Sequence, residues 1–314
     1  MRKVCFGMEF DSVNDFKRNF TRVYHGEVVP ALAPFEKKRR DIIRNLTTIG
    51  IVAGVLLFLA VTLIPSDDAK IFVAVAIIFL VVIVFGWMQK DFEKNLKKSI
   101  LPVLLRAFGN LQWTQLPVVQ SDEIRSSRIF SRWEYHDSDD NFYGTYKNCS
   151  MKISEVELFY YTRDSKGRRQ KHTEFKGAIV TIDVGKNFTG HTIVRRRGFL
   201  LNDKVYEEVK LEDPEFSKQF FVDSNDQIES RVLLTPAFME RFKWIKNAFG
   251  AQHAECSFKN QQIMIALSTY KDLFSLGSLF KPVDDTKQFT TFLNEIVSIY
   301  EMIDYLKVTD KTGL

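Results

Sequence analysis

If this chain does chemistry, its carboxylates are the first place to look. Asp137, Asp139 and Asp140 fall within one short stretch, and Asn141 follows them. Oxygen donors this close together could bind Ca²⁺ or Mg²⁺, and a divalent metal there could drive hydrolysis. The run lacks the glycine and the distal Glu of an EF-hand loop, so a solvated turn competes with a metal site. Glu212, Asp213, Asp223, Asp226 and Glu229 are acidic as well. They lie near expected helix starts, where negative charge is favoured without any ligand. The cysteines (Cys5, Cys149, Cys256) and histidines (His25, His136, His172, His191, His253) are scattered, with neither zinc-site spacing nor a disulfide framework. Gly-x-Ser-x-Gly, His-Glu-x-x-His and a Gly-rich phosphate loop do not occur,. No catalytic residue, metal ligand or cofactor is assigned.

Basic side chains are the second candidate for contact with a ligand. The net charge is +5, but it is unevenly placed. Lys37-Lys38-Arg39-Arg40 and Arg44 form one cluster, and Lys90, Lys94, Lys97 and Lys98 another. Lys37, Lys38, Arg39, Arg40, Lys97 and Lys98 are the candidate contacts to anionic lipid head groups, each worth roughly 1 kcal/mol near a charged surface. Two further runs, Lys166–Lys171 and Arg195–Arg197, stand apart. They could meet lipid head groups or the phosphates of nucleic acid, or simply maintain solubility and protect strand edges. Nucleic acid is the least favoured of these.

What positions the flanking clusters is a pair of apolar stretches, Leu46–Ile64 and Ile71–Met88, joined by Pro65–Lys70. Neither contains Asp, Glu, Lys or Arg. Each is close to the roughly 20 residues that cross about 30 Å of hydrocarbon. The pattern predicts a transmembrane helical hairpin over 45–89. Lys/Arg-rich flanks stay in the cytoplasm, so both termini are expected inside and the turn outside. Gly50 and Gly54 form a GxxxG pair, which lets the second span or a second copy of the chain approach closely. Uncharged spans offer no ion path. The hairpin therefore reads as an anchor, with a subunit of an oligomeric pore as an alternative. The first apolar stretch follows a long charged segment, which disfavours a cleaved signal peptide.

The remaining periodicities divide the chain further. Residues 1–44 form an N-terminal cytoplasmic segment, with an amphipathic helix over Asp11–His25 that Pro30 and Pro34 should interrupt. Residues 90–126 carry a juxtamembrane helix whose stripe is Leu96, Ile100, Leu101, Leu104, Leu105 and Phe108, stopping at Gly109-Asn110. Residues 127–314 make a cytoplasmic α+β domain. Strands are expected at Arg128–Tyr135, Tyr143–Ile153, Val156–Thr162, Glu174–Val184, His191–Arg197 and Val205–Leu211, with Asp137–Asn141 as a loop. Helices follow at Asp213, Asp226–Val232, Thr235–Phe249 and Thr286–Leu306, interleaved with a short strand at Phe220–Asp223 and a hairpin of Ala254–Phe258 with Gln262–Leu267. The 28 Phe against 10 Tyr and 4 Trp suggest aromatic core packing.

Several of these runs have a family look. Tyr143-Gly144-Thr145-Tyr146-Lys147, Ile153-Ser154-Glu155-Val156, Phe175-Lys176-Gly177 and Lys210-Leu211-Glu212-Asp213-Pro214-Glu215-Phe216 are four of them. Ser230-Arg231-Val232-Leu233-Leu234-Thr235-Pro236-Ala237-Phe238-Met239 is the most distinctive. Together they resemble the bacterial family of unknown function DUF3137, over roughly residues 95–282. The resemblance implies a multi-pass protein of the bacterial inner membrane and supplies no catalytic residue. The expected protein is thus α+β: a two-helix transmembrane hairpin followed by a mainly antiparallel sheet with C-terminal helices. The expected role is a membrane-anchored interaction or regulatory module, meeting the bilayer, a membrane or cytoplasmic protein partner, or a second copy of itself. A membrane-associated metal-dependent hydrolase is the alternative.

Overall fold

The computed structural model describes residues 13–185, 187–198, 205–274 and 276–312. They divide into a helical unit, residues 20–107 with 276–288, and a sheet unit, residues 13–19, 108–274 and 289–312.

The N-terminal helices are α1 (Val13–Val23), α2 (Val29–Leu63) and α3 (Asp67–Leu105). A wider π turn, Tyr24–Val28, joins the first two, and a 3₁₀ turn, Arg106–Phe108, follows the third. The interruption expected at Pro30 and Pro34 does not occur. Pro30 directly follows the π turn, so the donor it lacks falls where the ladder changes from π to α spacing,. Pro34 sits four residues later, so the donor it lacks would have addressed only the Pro30 carbonyl. Ser66 caps α3 by accepting a hydrogen bond from the Ala69 amide (3.5 Å), and Asp67 and Asp68 occupy its first turn, where carboxylates oppose the helix dipole. The expected stripe from Leu96 to Phe108 is buried throughout. The apolar stretches above it are not: Phe72, Phe79 and Trp87 are 76%, 65% and 70% exposed.

The sheet unit holds, among the described residues, one nine-stranded antiparallel sheet. Its strands are β1 (Gln112–Thr114), β2 (Tyr135–Tyr146), β3 (Cys149–Arg163), β4 (Arg169–Asp183), β5 (Thr192–Arg196), β6 (Glu207–Glu208), β7 (Phe220–Ser224), β8 (His253–Lys259) and β9 (Gln262–Ser268), in the order β1-β2-β3-β4-β9-β8-β5-β7-β6. The hairpin β8–β9 lies in the middle. Its run Ile263–Leu267 has no polar residue and is buried throughout, as expected of a strand covered on both faces. One face packs Val156, Leu158, Phe175, Ile179, Met264 and Ala266 with Ile124 of the short helix α4 (Ser121–Ser127). The other carries Phe142, Tyr146 and Phe258. They meet rings of α7 (Pro236–Ala248) and α8 (Thr286–Thr312): Phe142 lies 5.6 Å from Phe292, Tyr146 stacks at 4.0 Å on Tyr300, and Phe258 lies 5.2 Å from Phe238. Such ring pairs are the use made of the phenylalanine-rich composition. Helices α5 (Pro214–Gln219) and α6 (Gln227–Leu233) flank β7 and are capped by Asp213 and Asp226, as α7 is by Thr235.

Four local expectations are corrected. Asp137–Asn141 is not a loop but lies inside β2, with a register shift between Ser138 and Asn141. The stretch Tyr143–Ile153 is not one strand: Lys147 and Asn148, both left-handed (φ 47° and 63°), turn it into the β2–β3 hairpin. A primed two-residue turn matches strand twist and does not require glycine when Asn is present. Of Arg128–Tyr135, Tyr135 alone is strand, as the first residue of β2; the residues before it serve packing instead, with Ile129 and Trp133 buried in the core below β3. Of Val205–Leu211, Glu207–Glu208 alone pair as strand.

Gly177 in β4 marks the tightest contact of the sheet. Its φ is 149°, and a Cβ there would fall 2.0 Å from the Leu267 carbonyl oxygen of β9. The obstacle is backbone, so it cannot rotate away. Gly177→Ala is expected to cost at least about 2 kcal/mol of stability through strain at the β4–β9 pairing. A thermal unfolding midpoint equal to that of the parent chain would refute this.

Candidate membrane-anchoring site

The base of the helical hairpin is built around one carboxylate. Glu36 of α2 accepts Arg39 through Nε (2.9 Å) and Nη2 (2.7 Å), Arg40 through Nε (3.1 Å), and the Val283 amide (3.2 Å). The Arg39 hydrogen bonds, helped by Val283 and Arg40, hold its carboxyl down at about 2 against the opposing effect of burial. The remaining Arg39 nitrogen, Nη1, donates to the Leu279 carbonyl at 2.9 Å. Gln89 of α3 accepts the Leu279 amide at 3.1 Å. Both polar groups of one residue's backbone are therefore taken, one by each helix.

The segment around Leu279 is seated closely. Leu276, Leu279 and Val283 are buried. Gly277 (φ 88°) approaches so near that a Cβ would fall 2.3 Å from Leu96 Cδ2. Gln288 ties the segment's two ends, accepting the Gly277 amide (3.0 Å) and donating to the Val283 carbonyl (2.9 Å). Phe280 is the exception: it is 79% exposed, with its ring 5.4 Å from Phe85 at the end of the second apolar stretch.

The residues expected to meet head groups divide accordingly. Lys37, Lys38, Arg40 and Lys98 are exposed and Lys97 is half-buried. Arg39 is largely enclosed, with its guanidinium occupied by Glu36 and Leu279. At Gly50 and Gly54 an added Cβ would meet nothing within 4 Å, so within this chain that face of α2 is open. Sequence reasoning missed Glu36, Gln89 and the 276–283 segment. Glu36 sits beside a basic run and looks like its counterion. Its other partner is 247 residues away.

The polar clusters of the sheet unit are closed. Asp137 and Asp139 are exposed, whereas Asp140 is buried and accepts Trp113 Nε1 at 2.9 Å. The bulge in β2 thus separates the carboxylates that the sequence placed together. Asn141 Oδ1 accepts Ser154 Oγ (2.7 Å) and Ser138 Oγ (2.8 Å). Among the described residues, no group of three or more His, Cys, Asp or Glu has a geometry that could hold a metal ion. A shallow groove of about 560 Å³ at the β1 edge is lined by Gln112, Tyr143, Thr145 and Lys152, and its lysine is already paired with Glu123 at 2.6 Å.

Ser257 and His191 look like a nucleophile and its base, but the hydrogen-bond logic forbids it. His191 Nε2 lies 3.1 Å from the Ser127 carbonyl and 2.9 Å from Ser257 Oγ, and Nδ1 lies 3.1 Å from the Tyr206 hydroxyl. A carbonyl can only accept, so Nε2 carries the hydrogen and cannot take one from Ser257. Burial, with Lys259 and Arg128 adding repulsion, pushes this imidazole down to about 4, while the Ser127 hydrogen bond opposes. It is a neutral structural histidine.

Glu295 of α8 is also buried and neutral. Burial, reinforced by Glu155, raises its carboxyl to about 8, with Lys271 pulling the other way. The raised value means the folded state holds a proton that the unfolded state releases above its ordinary value of 4.5. Stability is therefore expected to fall between about pH 4.5 and pH 8, at most by about 1.4 kcal/mol per pH unit. Glu295→Gln should flatten this decline. Parallel unfolding-against-pH curves for the two chains would refute it.

Two long apolar helices, a nine-stranded antiparallel sheet and a C-terminal helix define an α+β chain with a helical-hairpin unit. Residues 173–308 match the family model described as "Protein of unknown function (DUF3137)". The matched stretch runs from β4 into α8. It takes in the motifs at 175–177, 210–216 and 230–239, and leaves those at 143–158 outside it. No curated protein and no solved structure matches the chain.

Proposed function

We propose that this chain is a membrane-anchored module of the bacterial inner membrane, a multi-pass protein with both termini and the sheet unit in the cytoplasm. One observation carries the reading. The most apolar 18-residue window of α3 has no buried residue. Soluble chains rarely leave an apolar patch of more than a few hundred Å² facing water. Lipid is the solvent that such a surface fits, and helices suit it because they satisfy their own backbone hydrogen bonds.

The boundary of the apolar stretches supports the same reading. Trp87 and Phe280 are exposed where the second stretch ends, at the depth where aromatic rings favour a membrane–water interface. Lys37, Lys38, Arg40, Lys90 and Lys98 are exposed beyond it. The 276–283 segment, pinned by Arg39 and Gln89, would serve as a foot, resting Phe280 in the interfacial layer. The open faces at Gly50 and Gly54 support contact with a second copy or with a membrane protein partner.

Two measurements test this. A periplasmic reporter enzyme fused after Leu314 should be inactive and one inserted in the Pro65–Lys70 turn active; the reverse pattern would overturn the topology. A nitroxide at position 280 (Phe280→Cys in a Cys5→Ser background, Cys149 and Cys256 being buried) should relax faster with lipid-soluble oxygen than with a water-soluble nickel chelate. Preference for the nickel reagent would remove the foot.

A further inference from the structure

The sheet unit has a second feature that the anchor does not explain and that does not depend on it. A cavity of about 290 Å³ opens where β5 ends, β8 begins, and α5 and α7 terminate. Its charged lining is Arg196, Arg197, Lys218 and Lys246, with His253 between them. These come from four separate elements spread between residues 196 and 253, and the sequence showed only the strand-end arginines.

The cations are incompletely matched. Arg197 pairs with Glu208 at 3.2 Å. Glu255, the other nearby carboxylate, accepts the Arg196 backbone amide at 3.1 Å. Among the described residues, Arg196, Lys218 and Lys246 have no carboxylate within ion-pair distance. Arg196 Nη1 lies 2.8 Å from His253 Nε2. A guanidinium can only donate, so that nitrogen accepts and the imidazole is neutral. Burial, then Arg196 and Lys246, hold its pKa down. The cluster already repels one more proton.

Lysines in the last turn of a helix are favoured by the helix dipole, and Lys218 and Lys246 hold such positions. That accounts for each singly. It does not account for their meeting Arg196 around one cavity, nor for an arginine hydrogen-bonded to a neutral histidine instead of a carboxylate. We infer that this cavity binds a phosphate-bearing anion, held by Arg196, Lys218 and Lys246. The cavity sits just below the usual range for small-molecule pockets, about 300–1,000 Å³, which fits a phosphate or diphosphate group better than a whole nucleotide. Arginine supplies the planar fork and lysine the point charges that phosphate oxygens accept.

The group could belong to a lipid head or to a soluble molecule, and the same assay separates them. The full chain in zwitterionic nanodiscs is titrated with pyrophosphate by calorimetry at low salt. Binding is expected, weakened about tenfold or more by Lys218→Gln with Lys246→Gln, and changed less than about twofold by Lys166→Gln at the β3–β4 hairpin tip. The His253 ring should titrate at higher pH when pyrophosphate is bound, because a bound anion favours the imidazolium. In nanodiscs containing phosphatidic acid, weaker apparent pyrophosphate binding would identify a lipid head group as the natural occupant, and unchanged binding a soluble one. Either result supports the site. No binding in zwitterionic discs, or equal weakening by Lys166→Gln, would overturn it.

Discussion

An apolar surface that water cannot solvate is the constraint on the helical unit. From Leu46 to Met88 the chain places ionised groups only in its short connecting turn, and the outward side chains of α2 and α3 are mostly Leu, Ile, Val and Phe. Helices solve the backbone half of the problem internally. The side-chain half is solved where the apolar run stops. At that level the polar groups appear in pairs that satisfy one another: Glu36 with Arg39, and Gln89 with the Leu279 amide. A charge withdrawn from water is costly when unpartnered. Here the carboxylate receives four hydrogen bonds and the guanidinium spends its remaining donor on a carbonyl.

That arrangement also explains why the 276–283 segment holds its position without being a helix or a strand. Irregular backbone has free N–H and C=O groups, which must find partners if buried. The two groups of Leu279 find theirs on different helices, and the ends of the segment are closed by Gln288. Removing Arg39 would therefore leave the Leu279 carbonyl without its donor and Glu36 with only Arg40 and the Val283 amide. A head-group contact was the role expected for Arg39 from its neighbours; the structure shows its guanidinium occupied by Glu36 and the Leu279 carbonyl.

The elements that composition dictates were legible in the sequence, and the contacts that topology creates were not. Two uncharged apolar runs, the Asp213, Asp226 and Thr235 caps and the turn at Gly109 (φ 67°) are local signals, and each lies where periodicity put it. The β2–β3 turn was missed because Lys147-Asn148 lacks the glycine that advertises a primed turn. The strand read into Arg128–Tyr135 failed because aromatic content reports burial, and Trp133 is buried from a coil. The acidic run at 137–140 shows the period-2 rule at work: once those residues are a strand, alternate carboxylates face opposite ways, and the bulge sends Asp140 inward to Trp113. Glu36, Glu295 and the pocket below Arg196 needed residue pairs far apart in the chain, which no window of sequence contains.

The buried polar groups of the sheet unit share a property that bears on the choice between binding and turnover. His191 is neutral because it is buried near Lys259 and Arg128, and Asn141 is enclosed by serine hydroxyls. Glu295 is neutral because burial leaves it no better state. A reaction centre needs a group with perturbed protonation and an open path to substrate. His191 and Glu295 have the perturbation but are 3% exposed. The constellation around Arg196, Lys218 and Lys246 is placed differently: it lines a cavity that opens to solvent, with Arg196 and Lys218 exposed. The donors gathered there suit the oxygens of an anion, which is the basis of the binding inferred for it,.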